Sequence, residues 1–286
     1  MKKIIHPTDF SENASKALKF AIGLSKKFDA ELIILNVEDF PTIMNSSSSV
    51  SSFTEMEEEK IASITKNLKK YVGNSTNSLD ANSKIHYSVK FNSSTADGII
   101  EAINETDADM TVVGTKGQSI FKEAIVGSTT KALVLKAPCP ILAIPEEANF
   151  DVLKHIIYAS DFNQHDIIAI TRLVPIAEIY NAELSIVHIY KDESSYNSEA
   201  TNFRKNLSYQ VKYPHLNYET LVSDDLAKSL VSYLNNKNAD LLVMFEKGNT
   251  GISRLFHKDM VKQFAEHSTV PLMSFNSYSI HIPKED

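Results

Sequence analysis

The chain has 286 residues, 29 basic against 36 acidic, a formal net charge of −7 and 43% apolar residues. That is ordinary globular composition for about two domains, and its acidic balance argues against nucleic acid as a partner. The single cysteine excludes an intramolecular disulfide and a C-x-x-C metal site.

The opening MKKIIHPTDFSEN has too short an apolar stretch for a secretory leader, and no later run reaches the length of a membrane span. A cytoplasmic protein without membrane contact is the expectation. In chain order, KIIHPT is a short apolar strand. Ala14, Leu18, Ile22 and Ser25 then recur at helical spacing, with Ala17 and Ala21 beside them. LIILNV is a second strand. NSSSSVSSF (45–53) has the composition of a flexible connection. It admits sharper readings as a nucleotide lid or a phosphorylation segment. Thr54-x-x-Glu57 resembles a capping box ahead of a helix carried by Ile61, Ile64, Leu68 and Val72. KIHYSVKF alternates like a strand, ADGIIEAINE is helical, MTVVG is a strand, TKALVLKA a helix and ILAI a strand.

The chain then repeats this order. KIIHPTDFS (3–11) aligns with HIIYASDFN (155–163), and DAELIILNV (29–37) with NAELSIVHI (181–189), both 152 residues on. DADMTVV (107–113) aligns with NADLLVM (238–244), and CPILAI (139–144) with VPLMSF (270–275), both 131 residues on. The spacing shortens because the second copy lacks a stretch near residues 38–60. Two copies of one domain follow, 1–146 and 152–276, joined by EEANFD (146–151), with a tail at 277–286. Apolar strands alternating with helices imply a parallel sheet covered on both faces, so each copy is a doubly wound α/β domain. Ligands in such folds bind beyond the carboxyl ends of the strands.

Two segments lie there. Pro7-Thr8-Asp9-Phe10-Ser11 follows the first strand. Asp9 is either a helix-entry residue, with Ser11 as cap, or a ligand contact. VVGTKGQSIFKEAIVGSTTKAL (112–133) follows the fourth strand and holds Gly114, Gly117 and Gly127, three of only eight glycines. Gly127-Ser128-Thr129 opens a helix whose free N–H groups favour phosphate. The competing reading is a pair of tight turns. Neither G-x-x-x-x-G-K-[ST] nor G-x-G-x-x-G is present.

Gly114-x2-Gly117-x9-Gly127-Ser128, with KIIHPTDFSENASKAL, LIILNV and KAPCPILAIP around it, resembles the universal stress protein family. The likeness covers essentially all of the first copy and, more weakly, the second. It implies tandem Rossmann-like, adenine nucleotide alpha hydrolase-like domains and an ATP site, with magnesium as a companion ion. Under that resemblance Pro7, Thr8 and Asp9 line the adenosine end and Val37 meets adenine through its main chain. Val113 and Gly114 flank the ribose, while Gly117, Gly127, Ser128 and Thr129 hold the phosphates. Lys116 and Lys122 add charge or are simply solvated.

In the second copy Gly114 becomes Phe245, Gly127 becomes Lys258 and Ser128 becomes Asp259. One competent site and one degenerate copy are therefore expected. The resemblance also suggests that ILAI (141–144) and LMSF (272–275) pair within the chain as a pseudo-dimer, leaving a homodimer of chains open. Catalysis has little support. Cys139 sits between prolines as a buried thiol, the nine histidines, His257 and His267 included, show no metal spacing, and G-x-S-x-G is absent. The expectation is an ATP-binding regulatory or stress-response protein. The alternatives are a slow ATPase or adenylyl-transfer enzyme, with Asp9 assisting, and a nucleotide-independent interaction module.

Overall fold

The computed structural model describes residues 1–40, 50–75, 84–115, 128–148, 152–191, 198–246 and 270–280. Strands and helices alternate as the periodicity predicts. The first copy has β1 (Lys3–Pro7), α1 (Glu12–Phe28), β2 (Glu31–Glu38), α2 (Val50–Ser75), β3 (Ile85–Phe91), α3 (Thr95–Thr106), β4 (Met110–Gly114), α4 (Ser128–Lys136) and β5 (Ile141–Ile144). The second has β6 (His155–Ala159), α5 (Gln164–Tyr180), β7 (Glu183–Tyr190), α6 (Ser198–Gln210), β8 (Leu216–Val222), α7 (Leu226–Asn236), β9 (Leu241–Glu246) and β10 (Leu272–Asn276).

Two expectations are corrected. Helix α2 begins at Val50, so Thr54 lies inside it and cannot cap it. For the same reason residues 50–53 are helical rather than part of a loop; residues 45–49 lie outside the described residues.

The chain divides into two compact units, Met1–Gly114 and Thr115–Asp286. In the first, the strand order is β3-β2-β1-β4, with β1 parallel to both β2 and β4. Ile4, Ile5, Leu32, Ile34 and Leu35 of β1 and β2 are buried, as are Ala17, Leu18 and Ala21 of α1 and Ile99 and Ile103 of α3, the helices that pack on these strands. Chain order reverses between β1 and β4, which makes their carboxyl ends the switch point where ligands bind in such folds.

In the second unit the order is β5-β10-β9-β6-β7-β8. Strands β10, β9, β6, β7 and β8 are parallel, with the switch point between β6 and β9. β5, which belongs to the first repeat, pairs antiparallel with β10: Leu272 faces Ala143, Met273 faces Leu142 and Ser274 faces Ile141. This is the ILAI–LMSF pairing expected within the chain. It also explains why the compact units divide earlier in the sequence than the repeats do.

Candidate functional site

The turn after β1 is built by its own side chains. Thr8 N donates to Leu35 O at 2.8 Å, which extends the β1–β2 ladder by one residue. Asn36 Nδ2 donates to Thr8 O at 2.9 Å, tying the turn to β2. Thr8 Oγ1 accepts from Phe10 N at 2.9 Å and Asp9 Oδ1 from Ser11 N at 3.0 Å. Phe10 takes a left-handed φ of 65°, and Ser11 caps α1 by accepting from Ala14 N at 3.3 Å. Asp9 therefore does serve helix entry, while its side chain stays exposed at the sheet's carboxyl edge. Pro7 is half-buried and Thr8 buried.

His6, which the sequence reading passed over, sits fully buried beneath this turn. Its Nδ1 lies 3.0 Å from Val112 O and its Nε2 3.2 Å from the Tyr71 hydroxyl. A carbonyl can only accept, so Nδ1 carries the proton and Nε2 accepts from Tyr71. The rings stack at an interplanar angle of 7°, and Phe10 meets Tyr71 edge-on at 5.7 Å. Burial lowers the His6 pKa to about 4, partly opposed by the bond to Val112, and raises that of Tyr71 to about 12. Both rings are neutral at pH 7. The one sequence signal that could have found His6 is a histidine inside an otherwise apolar strand. Asn36 is also buried, and its Oδ1 has no partner among the described residues.

At the ends of β2 and β4, Val37 is half-buried and Val113 buried. Gly114 has a structural reason within its own unit: a Cβ there would lie 2.4 Å from Asn13 O and 2.9 Å from Ala14 N. The end of β4 thus runs against the first turn of α1, too close for any side chain. Gly98 similarly lets α3 onto β2, since its Cβ would meet Val37 Cγ1 at 2.7 Å. Ser128, exposed, and Thr129, half-buried, open α4 in the second unit. Gly117, Gly127, Lys116 and Lys122 lie outside the described residues, as do Lys258, Asp259, His257 and His267. Cys139 is buried.

The second copy keeps the turn and fills it. Ser160 Oγ accepts from Phe162 N at 2.9 Å, Phe162 has φ of 57°, and Asn163 caps α5. His188 stands where the first copy has Asn36, and its Nδ1 donates to Ser160 O at 2.6 Å. Asp166 replaces Ala14, and its carboxylate gathers Tyr158 Oη, Ser160 Oγ, Asp161 N and the Asn163 backbone and side-chain nitrogens. Burial raises the Asp166 pKa despite those bonds. Phe245, at the Gly114 position, is buried and stacks on His165, at the Asn13 position, with centroids 5.1 Å apart. The cavity left between Ser160, Asp161, His188 and Leu226 is about 30 Å³, room for a water or two. Small-molecule pockets need roughly 300 Å³ or more.

Sequence comparison agrees with the repeat. The profile of the universal stress protein family matches residues 1–145 and again 153–275. The chain belongs to the universal stress protein family. A universal stress protein of Methanocaldococcus jannaschii is 28% identical over 148 residues, which is 50% of this chain and 81% of that protein. A putative universal stress protein of Staphylococcus aureus is 30% identical over 148 residues, 51% of this chain and 85% of its own length. Among solved structures, a universal stress protein from Archaeoglobus fulgidus superposes with a TM-score of 0.68 at 17% identity, covering 96% of this chain and 98% of that one. A putative universal stress protein from Pseudomonas aeruginosa gives 0.61 at 14%, covering 98% and 95%. Those likenesses bear on the fold, and they extend across both repeats. Among the described residues of this universal stress protein, no helix is long and apolar enough to cross a membrane, and no cluster of three His, Cys, Asp or Glu side chains is placed to hold a metal ion.

Proposed function

We propose that this protein is an ATP-binding universal stress protein with a regulatory or stress-response role. In this reading its first repeat, residues 1–146, holds one nucleotide, and its second, residues 152–276, is structural. Pro7, Thr8, Asp9 and Val37 serve the adenosine end, Val113 and Gly114 the ribose, and Gly117, Gly127, Ser128 and Thr129 the phosphates. Magnesium would arrive on the phosphates, which usually supply most of its protein-site ligands together with water.

The observation that carries the reading is the contrast between the two copies at one position. Where the first repeat brings bare backbone at Gly114 to the switch point, the second places Phe245 stacked on His165. Gly114 adds no side chain to the switch point, whereas the second copy fills the same strand end with a buried phenylalanine ring and an exposed imidazole stacked on it. Beside the turn that corresponds to Thr8 and Asp9, the buried carboxylate of Asp166 is already engaged by five protein donors.

The test is the adenine nucleotide content of purified protein, released by heat and counted per chain. About one ATP per chain, absent from a Gly127→Lys, Ser128→Asp variant, is the expected result. Two equivalents of similar affinity would defeat the single-site reading. ADP in place of ATP would favour the slow ATPase. No nucleotide, and no stabilisation by ATP with magnesium, would leave a nucleotide-independent interaction module.

A further inference from the structure

Helix α4 ends in an unusual way. In a regular helix Val134 O would accept from the N–H four residues on, but that residue is Pro138, which has none. Leu133 O is satisfied locally by Ala137 N at 2.8 Å. Val134 O instead accepts from Asn276 Nδ2 at 2.8 Å, 142 residues away, in a buried bond. Asn276 is the last residue of β10, and position 145 of the first repeat, its counterpart, is a proline.

Asn276 is itself held firmly. Its Oδ1 accepts from Tyr278 N at 2.9 Å and Ser279 N at 2.8 Å, and its N–H donates to Ser279 Oγ at 2.8 Å. Arg172 of α5 donates to Ser279 O. Ser279 and Ile280 are buried. All of these residues lie in the second compact unit. The beginning of the tail is therefore a structured turn that supplies a missing donor to a helix of the other repeat.

We infer that Asn276, and the turn at 276–280 that fixes it, is the positioning device for the phosphate-binding end of α4. The inference rests on the nucleotide reading above. Helix α4 has nine residues, Ser128–Lys136, so its start lies about 13 Å from its end at 1.5 Å per residue. A helix this short moves as a rigid lever. Freeing its last turn shifts Ser128 and Thr129, which would touch the phosphates and nothing of the nucleoside. By reciprocity, phosphate binding steadies the turn.

Asn276→Asp separates this role from general stability. The aspartate keeps the acceptor for Tyr278 and Ser279 but loses the donor to Val134. ATP and adenosine affinities are measured by calorimetry on the full chain. The expected outcome is an ATP affinity about tenfold weaker, the scale of one neutral amide–carbonyl hydrogen bond, with adenosine affinity unchanged within about twofold. In the wild type, ATP and not adenosine should slow amide exchange at Tyr278 and Ser279. Tyr278→Ala, at an exposed side chain, should leave the ratio of affinities intact. Equal loss for both ligands, or loss for neither, overturns the inference while the nucleotide site stands. A wild type that binds no ATP overturns the site and the inference together. Should Asn276→Asp fail to fold, Arg172→Gln loosens the same turn from α5 and is read by the same ratio.

Discussion

His6 shows how much one buried polar residue can decide. Its ring stays neutral in the folded protein down to about pH 4, whereas in an unfolded chain it protonates near 6.5. Between those values the unfolded state binds more protons, so stability falls as pH falls, and it falls no further on this account below about 4. The loss should total about 3 kcal/mol. Urea unfolding of wild type and His6→Gln across pH 7 to 4 checks it: the variant's curve should be flatter by that amount. Glycines divide by the same close reading. Gly23 of α1 has nothing near a added Cβ, so Gly23→Ala should stabilise by about 1 kcal/mol through helix propensity. Gly114→Ala drives a methyl into the Asn13 carbonyl and should cost about 2 kcal/mol or more. Thermal unfolding of the pair should show shifts of opposite sign.

At the scale of elements, the repeated dipeptides acquire a mechanical meaning. Asp29, Asp107, Asn181 and Asn238 all have left-handed φ, from 48° to 52°. Each precedes an alanine whose N–H returns to the carbonyl five residues earlier, as Ala30 to Ser25 and Ala182 to Ala177 do at 2.9 Å. In a chain with eight glycines, Asp and Asn take the place that glycine usually fills at helix ends. Asn181→Gly should raise stability by about 0.5 kcal/mol, and Asn181→Ala should lower it by about 1 kcal/mol. Denaturant midpoints will show whether the two changes have opposite signs. The third residue of DAD and NAD is a clamp. Asp109 Oδ2 accepts from Lys2 N and Lys3 N, and Asp240 Oδ2 from Lys154 N and His155 N at 2.7 and 2.8 Å. The blocks that reveal the repeat are therefore the hardware of the sheet's amino edge, opposite the candidate site.

For the whole molecule, the β5–β10 pairing matters most. It joins the last strand of one repeat to the last strand of the other in an antiparallel ladder. A chain cut to residues 1–146 would leave the edge of β5 without its partner, and an exposed apolar edge seeks another strand. ILAI is buried at all four positions. Such a fragment should dimerise or aggregate where the full chain does not associate through that edge, a difference that light scattering on a sizing column would register. A monomeric, well-folded fragment would mean that the edge is protected in some other way.

Strand and helix order, the duplication and the α/β class were legible in the residues, while the β5–β10 pairing followed only from the family resemblance. Periodicity and repeat are local properties that every stretch of chain carries. The family likeness rested on the same kind of short-range pattern. Helix α2 takes in Ser51 and Ser52 because the preference of serine for caps and loops is only a tendency. The roles of Gly114, Asn276 and His6 were not legible, since each depends on a partner far along the chain: Asn13, Val134 and Tyr71. Whether a glycine makes room for a ligand or for a helix, and whether a tail is loose or caps a helix 142 residues away, is decided by which backbones the fold brings together. Composition and spacing mark where such approaches are possible, and the three-dimensional packing chooses what fills them.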